Sequence, residues 1–99
     1  MRLPPRRAHR IDANQPSIVK DLRKAKVFWL PAGEPIDGWV GWKGLWLPCE
    51  IKDPSKPLSA RRLTPTEAMF FQDAAAYGLP VILAHTAEDV FAAFDRQWP

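Results

Sequence analysis

The chain has 99 residues, 46% hydrophobic and 25% charged, the composition of one small globular domain and not of a disordered segment. A single cysteine excludes an intramolecular disulfide framework and any cysteine-cluster zinc site. The net charge of +3 is uneven: residues 1–62 hold 13 basic against 6 acidic side chains (+7), and residues 63–99 hold 1 against 5 (−4), so the first two-thirds suits a polyanionic partner such as nucleic acid.

Residues 1–10 carry Arg2, Arg6, Arg7, Arg10 and His9 with no acid, and Pro4-Pro5 oppose regular structure. They read as a basic flexible arm ahead of a single domain over 11–99. A helix is predicted from about Asn14 to Lys26. Asp12 or Asn14 can cap it, Pro16 fits its first turn, and Ile18, Val19, Leu22 and Ala25 form its apolar stripe. Val27 to Leu30 reads as a strand and Pro31 to Pro35 as a loop. Ile36–Trp42 and Leu45–Lys52 are β-prone runs around Lys43-Gly44, a hairpin turn. Residues 53–62 read as a basic Pro/Ser-rich loop. Thr64-Pro65-Thr66-Glu67 is a capping-box helix start, and Gly78 ends that helix. Leu79–Ala84 reads as a strand, and Thr86 opens a last helix that buries Val90, Phe91 and Phe94. The fold class is therefore α/β with a mixed α+β sheet, in the order α-β-β-β-α-β-α.

No stretch approaches 18 consecutive apolar residues, so no membrane span is expected. No apolar segment follows the basic N-terminus, which argues against a secretory signal. With its one thiol, the chain is expected in a reducing cytoplasm.

A two-residue turn at Lys43-Gly44 fixes the hairpin register. Val40 then faces Leu47, Gly38 faces Cys49 and Ile36 faces Ile51 on an apolar face. The other face pairs Gly41 with Trp46, Trp39 with Pro48 and Asp37 with Glu50, with Lys52 one step beyond. Directly opposed carboxylates repel, and Lys52 is one cation against two anions. A divalent ion between Asp37 and Glu50 would balance them, and two carboxylates plus water suit Mg²⁺. Such an ion generates hydroxide and neutralises a phosphate oxygen, and a nearby lysine serves the nucleophile. The same spacing also describes a strand face that is merely solvated, and spacing alone leaves both readings open.

The stretches Arg10–Gln15 (RIDANQ), Pro35–Trp42 (PIDGWVGW), Glu50–Lys56 (EIKDPSK) and Arg61–Glu67 (RRLTPTE), in this order, resemble the PD-(D/E)XK nuclease superfamily, and within it the small phage and prophage VRR-NUC proteins. The resemblance spans about residues 7–95. It implies a restriction-endonuclease-like core and a Mg²⁺- or Mn²⁺-dependent DNA endonuclease, with flaps and Holliday junctions as candidate substrates in phage replication or repair. Asp37 and Glu50 match the two acids that hold the metal, and the Ile51 carbonyl matches a backbone ligand. Lys52 matches the lysine serving the attacking water. Gln15 falls on the first helix, where related nucleases often place a Glu, and Glu67 stands after Leu63-Thr64-Pro65 where a Gln or acid is expected.

Arg6, Arg7, Arg10, Lys56, Arg61 and Arg62 are the expected contacts to the DNA backbone. Trp39 and Trp46 share the site face, for base stacking or for packing under the first helix, the second being the favoured reading. His85 reads as structural, Cys49 as a core thiol, and His9 lacks partners for a zinc site. Ser55 and Ser59 lack a paired histidine. A different functional class is also open: Pro48-Cys49 interrupts the apolar run before Glu50, and the first helix lacks its acid. Both fit a catalytically degenerate nuclease fold acting as a nucleic-acid-binding accessory module. A domain this small, facing two-stranded DNA, is expected to form a homodimer.

Overall fold

Lys43 (φ 52°) and Gly44 (φ 76°) both adopt the left-handed region, as a two-residue hairpin turn matched to strand twist requires. In the computed structural model, which describes residues 12–97, this turn joins β2 (Gly38–Trp42) to β3 (Leu45–Ile51). The register is the expected one: Trp42 opposite Leu45, Val40 opposite Leu47 and Gly38 opposite Cys49. On the other side, β1 (Phe28–Pro31) runs antiparallel to β2, and β4 (Ile82–Ala84) runs parallel to β3. The sheet is mixed, in the order β1-β2-β3-β4.

Three longer helices and one single turn complete the chain: α1 (Gln15–Lys24), α2 (Leu58–Arg61), α3 (Pro65–Ala76) and α4 (Ala87–Asp95). The expected capping box forms at α3, and a second one forms at α4. Thr64 Oγ1 accepts from Glu67 N while Glu67 returns a carboxylate to Thr64 N, and Thr86 and Asp89 do the same for α4. The two helix ends differ in residue but not in geometry. Gly78 (φ 69°) closes α3 and Lys26 (φ 63°) closes α1, in each case with a following N–H bonded back to the last turn.

One face of the sheet carries the core. Ile18, Val19 and Leu22 of α1 and Val90 and Phe94 of α4 pack on Val40, Leu47, Cys49, Ile51, Ile82 and Ala84. Trp42 closes one end against Phe91 and Phe94, with ring centroids 5.6 and 5.7 Å away. Gly38 is required there, because a Cβ would lie 2.5 Å from the Trp29 ring and 2.8 Å from the Leu30 carbonyl oxygen.

Four expectations change. The loop over 53–62 contains the turn α2. The fourth strand shrinks to Ile82–Ala84, since it begins only after Pro80, which lacks an N–H for the ladder. Ile36 and Asp37 precede β2 instead of opening it. Trp39 and Trp46 do not pack under the first helix, because α1 lies on the opposite face; both are substantially exposed. The basic arm, with Arg6, Arg7, Arg10 and His9, lies outside the described residues. Among the described residues no helix is long and apolar enough to cross a membrane.

Candidate functional site

The ladder between β2 and β3 ends in side chains. Beyond Gly38 and Cys49, the Asp37 N–H donates to Glu50 Oε1 (3.1 Å), and the Ile51 N–H donates to Asp37 Oδ2 (2.7 Å). Each acid is therefore fixed by an amide of the other strand. The pairing that the register predicts is realised, and both carboxylates are buried. The loop before Asp37 is pinned by Ala32 N donating to Asp37 O at 2.8 Å.

Lys52 follows on the same face and is also buried. Its Nζ lies 3.3 Å from Glu50 Oε2 and 3.0 Å from Glu67 Oε1. Glu67 Oε1 also accepts from the Thr64 N–H at 2.9 Å. One residue thus caps α3 and closes the cluster. The capping motif placed Glu67 in sequence, but its contact with Lys52 crosses between a strand and a helix start, which no local pattern reports.

Three carboxylates and one ammonium in a dry site cannot all be charged without cost. Burial, reinforced by hydrogen bonding to Glu67 and by the Asp37 charge, pushes Glu50 up to about 9. Glu67 goes the other way. Burial alone would raise it, but bonding to Glu50, the Thr64 N–H and Lys52 together hold it below its usual range. Burial would lower Lys52, yet its two carboxylate partners raise it. Burial and two acidic neighbours therefore favour the protonated form of Glu50 when no cation is present. Burial also pushes the Cys49 thiol far up, with Asp37 and Glu50 adding to it, so it stays protonated and un-nucleophilic.

The donor set fits a hard divalent ion. It offers two facing carboxylates, and a cation there would favour the ionised form of both. Among the described residues no group of three or more His, Cys, Asp or Glu side chains is arranged to hold a metal. An ion at Asp37 and Glu50 would therefore complete its shell with backbone oxygen, water or substrate, as Mg²⁺ commonly does.

The N-terminus of α1 is tied to this end of the sheet. Asn14 Nδ2 donates to the carbonyls of Lys52 (3.1 Å) and His85 (3.2 Å). Gln15, the next residue, is buried with its Oε1 lacking a partner, as is Asn14 Oδ1. Asp53 accepts from Ser55 N and Oγ, which hold its carboxyl below the usual range. Of the expected backbone contacts, Lys56 pairs with Asp12 at 3.2 Å and Arg62 is exposed at the end of α2. The Arg61 side chain lies outside the described structure. His85 is structural in its backbone: its N–H donates to Asp89 Oδ2 at 2.8 Å, beside the α4 cap.

The second sheet face is apolar away from the cluster. Trp39, Trp46 and Pro48 form one wall of a groove of about 500 Å³, and Phe70 and Ala74 of α3, with Tyr77 just past its end, form the other. Compared with protein-family models, curated proteins and solved structures, the chain matches none at a significant level.

Proposed function

We propose that the protein is a Mg²⁺- or Mn²⁺-dependent DNA nuclease of the PD-(D/E)XK type, hydrolysing phosphodiester bonds. The observation that carries this reading is the buried Asp37–Glu50–Lys52 cluster at the end of the β2–β3 hairpin. The chain order of helix, three strands, helix and strand supports the restriction-endonuclease-like core that the sequence resemblance implies.

A bound divalent ion would supply a hydroxide nucleophile and neutralise a phosphate oxygen. Asp37 and Glu50 would hold it, with the Ile51 carbonyl as the backbone ligand. Their amide bonds fix both carboxylates before any ligand arrives, so little reorganisation is needed at the moment of reaction. Lys52, held by Glu67, would orient the attacking water and offset charge on the pentavalent phosphorus. Glu67 is a positioning residue that acts through Lys52. Lys56, Arg61 and Arg62, which follow Lys52 in the chain, would contact the DNA backbone.

A second reading, a nuclease fold that binds nucleic acid without cutting it, is favoured by one observation: Asp37, Glu50 and Lys52 are each less than a tenth exposed. Incubation with plasmid, flap and four-way-junction DNA in Mg²⁺ or Mn²⁺ separates the readings. The nuclease reading expects cleavage that disappears in Asp37→Ala and Lys52→Ala. Cleavage persisting in both variants refutes the site assignment. Salt-dependent DNA binding with no cutting and no metal-induced rise in Tm supports the second reading.

A further inference from the structure

Asn14 occupies the N-cap of α1, where an asparagine ordinarily turns its side-chain oxygen onto an amide of the first turn. It makes no such bond. Its Nδ2 reaches out of the helix to two carbonyls, Lys52 O at 3.1 Å and His85 O at 3.2 Å. Its Oδ1 is left buried without a partner. A flipped amide would set that oxygen against both carbonyls, so the hydrogen bonds fix the assignment. A cap is thus exchanged for a bridge to segments 38 and 71 residues away, and an acceptor is left unsatisfied. Local chemistry that gives way like this points to a requirement elsewhere in the structure.

The place of the bridge says what that requirement is. The parallel pairing of β3 with β4 ends at Ile51 and Ala84. Lys52 N still donates to Ala84 O, at 3.0 Å, but the carbonyls of Lys52 and His85 lie past the last pair. Asn14 supplies the next rung from its side chain. Lys52 is thereby held on both sides, through its N–H by β4 and through its C=O by the start of α1. Beyond it the chain turns at once, with Lys56 N donating to Asp53 O at 3.2 Å. The lysine stem is long and flexible, and its Nζ stands 3.3 Å from Glu50 Oε2 and 3.0 Å from Glu67 Oε1. A backbone free to swing at Lys52 would carry Nζ away from that pair.

We propose that Asn14 is a positioning residue: its amide sets the place of the Lys52 ammonium in the acid cluster, and through it the turnover of the reaction that Lys52 serves. The geometric part stands on the hydrogen bonds, and the kinetic part rests on the nuclease reading.

Two variants separate this role from a structural one. Asn14→Ala removes both N–H donors. Asn14→Asp removes them too, but keeps the volume and caps a helix as well as asparagine does. Val19→Ala, a core truncation elsewhere on α1, is the comparison for lost stability. The ε-methylene NMR signals of Lys52, assigned with Lys52→Arg, report the side chain in metal-free protein without any need of cleavage. They are recorded where circular dichroism shows every variant folded. Wild type and Val19→Ala are expected to show two inequivalent methylene protons. In both Asn14 variants the two are expected to merge towards the position of exposed lysines. In DNA cleavage, kcat is expected to fall by about 100-fold in both, as a displacement of about 1 Å can produce. KM for DNA and the Mn²⁺ requirement stay at wild-type values, and Val19→Ala keeps its kcat. Lys52 signals that are unchanged in Asn14→Ala, or displaced as far in Val19→Ala, overturn the proposal. So does an Asn14→Asp protein that retains the wild-type signals or kcat. Wild-type protein that does not cut DNA refutes the nuclease reading and the kinetic part with it, and the NMR signals still decide whether Asn14 positions Lys52.

Discussion

Removing the charge from Glu50 should make the metal-free protein more stable above neutral pH. The folded protein holds this carboxyl near 9, whereas its unperturbed value is 4.5. A carboxyl raised on folding binds its proton more tightly in the native state, so its stabilising contribution is full below 4.5 and is lost as pH rises towards 9. The slope limit for one proton is about 1.4 kcal/mol per pH unit, and the window therefore represents several kcal/mol. The partners titrate outside it. Glu67, lowered, gains its stability at the acid end of the range, and Lys52, raised, stays protonated throughout it. In a domain of this size 1 kcal/mol moves Tm by about 4–8 °C. Thermal unfolding in EDTA, followed by circular dichroism between pH 5 and 9, should show Tm falling by more than about 10 °C. Glu50→Gln imitates the protonated acid: it can accept from the Asp37 N–H and donate to Glu67. Its Tm should be nearly flat over the same range and exceed wild type at pH 9. Mn²⁺ should flatten the wild-type profile by displacing the proton, and should leave Glu50→Gln little changed. A wild-type Tm that rises or stays level with pH in EDTA would refute the electrostatic reasoning. So would a Glu50→Gln profile as steep as wild type.

Two further outcomes test the frame around the cluster. Asn14→Ala removes the amide that joins α1 to the carbonyls of Lys52 and His85; denaturant unfolding should show a loss of about 1–3 kcal/mol, and no loss would mean that water replaces the amide freely. Gly38→Ala drives a methyl into the Trp29 ring and the Leu30 carbonyl and should prevent folding or cost several kcal/mol. Gly41→Ala approaches only the Trp46 ring, at 3.1 Å, and should cost much less in the same measurement; equal losses would show that the sheet yields at Gly38.

The parts of the fold visible in the sequence are those fixed by local chemistry. The Lys43-Gly44 turn and period-two alternation determine the hairpin register, and through it the meeting of Asp37 with Glu50. Thr64 with Glu67 and Thr86 with Asp89 mark two helix starts in four residues each. What stays hidden depends on packing between distant segments. Alternation separates the two faces of a strand, but when both are apolar it does not say which one the helices cover. Trp39 and Trp46, expected under α1, therefore lie on the face that α1 leaves uncovered. The Glu67–Lys52 pair joins residues 15 apart through a strand and a helix cap. Asn14, which bonds segments 38 and 71 residues away, reads in sequence only as a helix cap.

The hairpin joins opposite surroundings on a single face. Near its turn that face is aromatic, and at its far end it holds three acids and a lysine out of water. A 99-residue chain has a small core and a margin of about 5–15 kcal/mol. A buried carboxyl held several pH units from its ordinary value consumes a large part of that margin. Packing does not require it, since an apolar pair at positions 37 and 50 would suit the sheet and remove the repulsion. The same residues also depart from the local rules that the rest of the chain obeys: two acids meet at the end of a ladder whose pairs are apolar. Local rules that fail while the surrounding structure satisfies them tend to mark sites kept for chemistry. The nuclease reading assigns the excess negative charge to a hard metal ion beside Lys52, whereas a cluster built for stability needs none, and the pH and Mn²⁺ dependence of Tm separates the two.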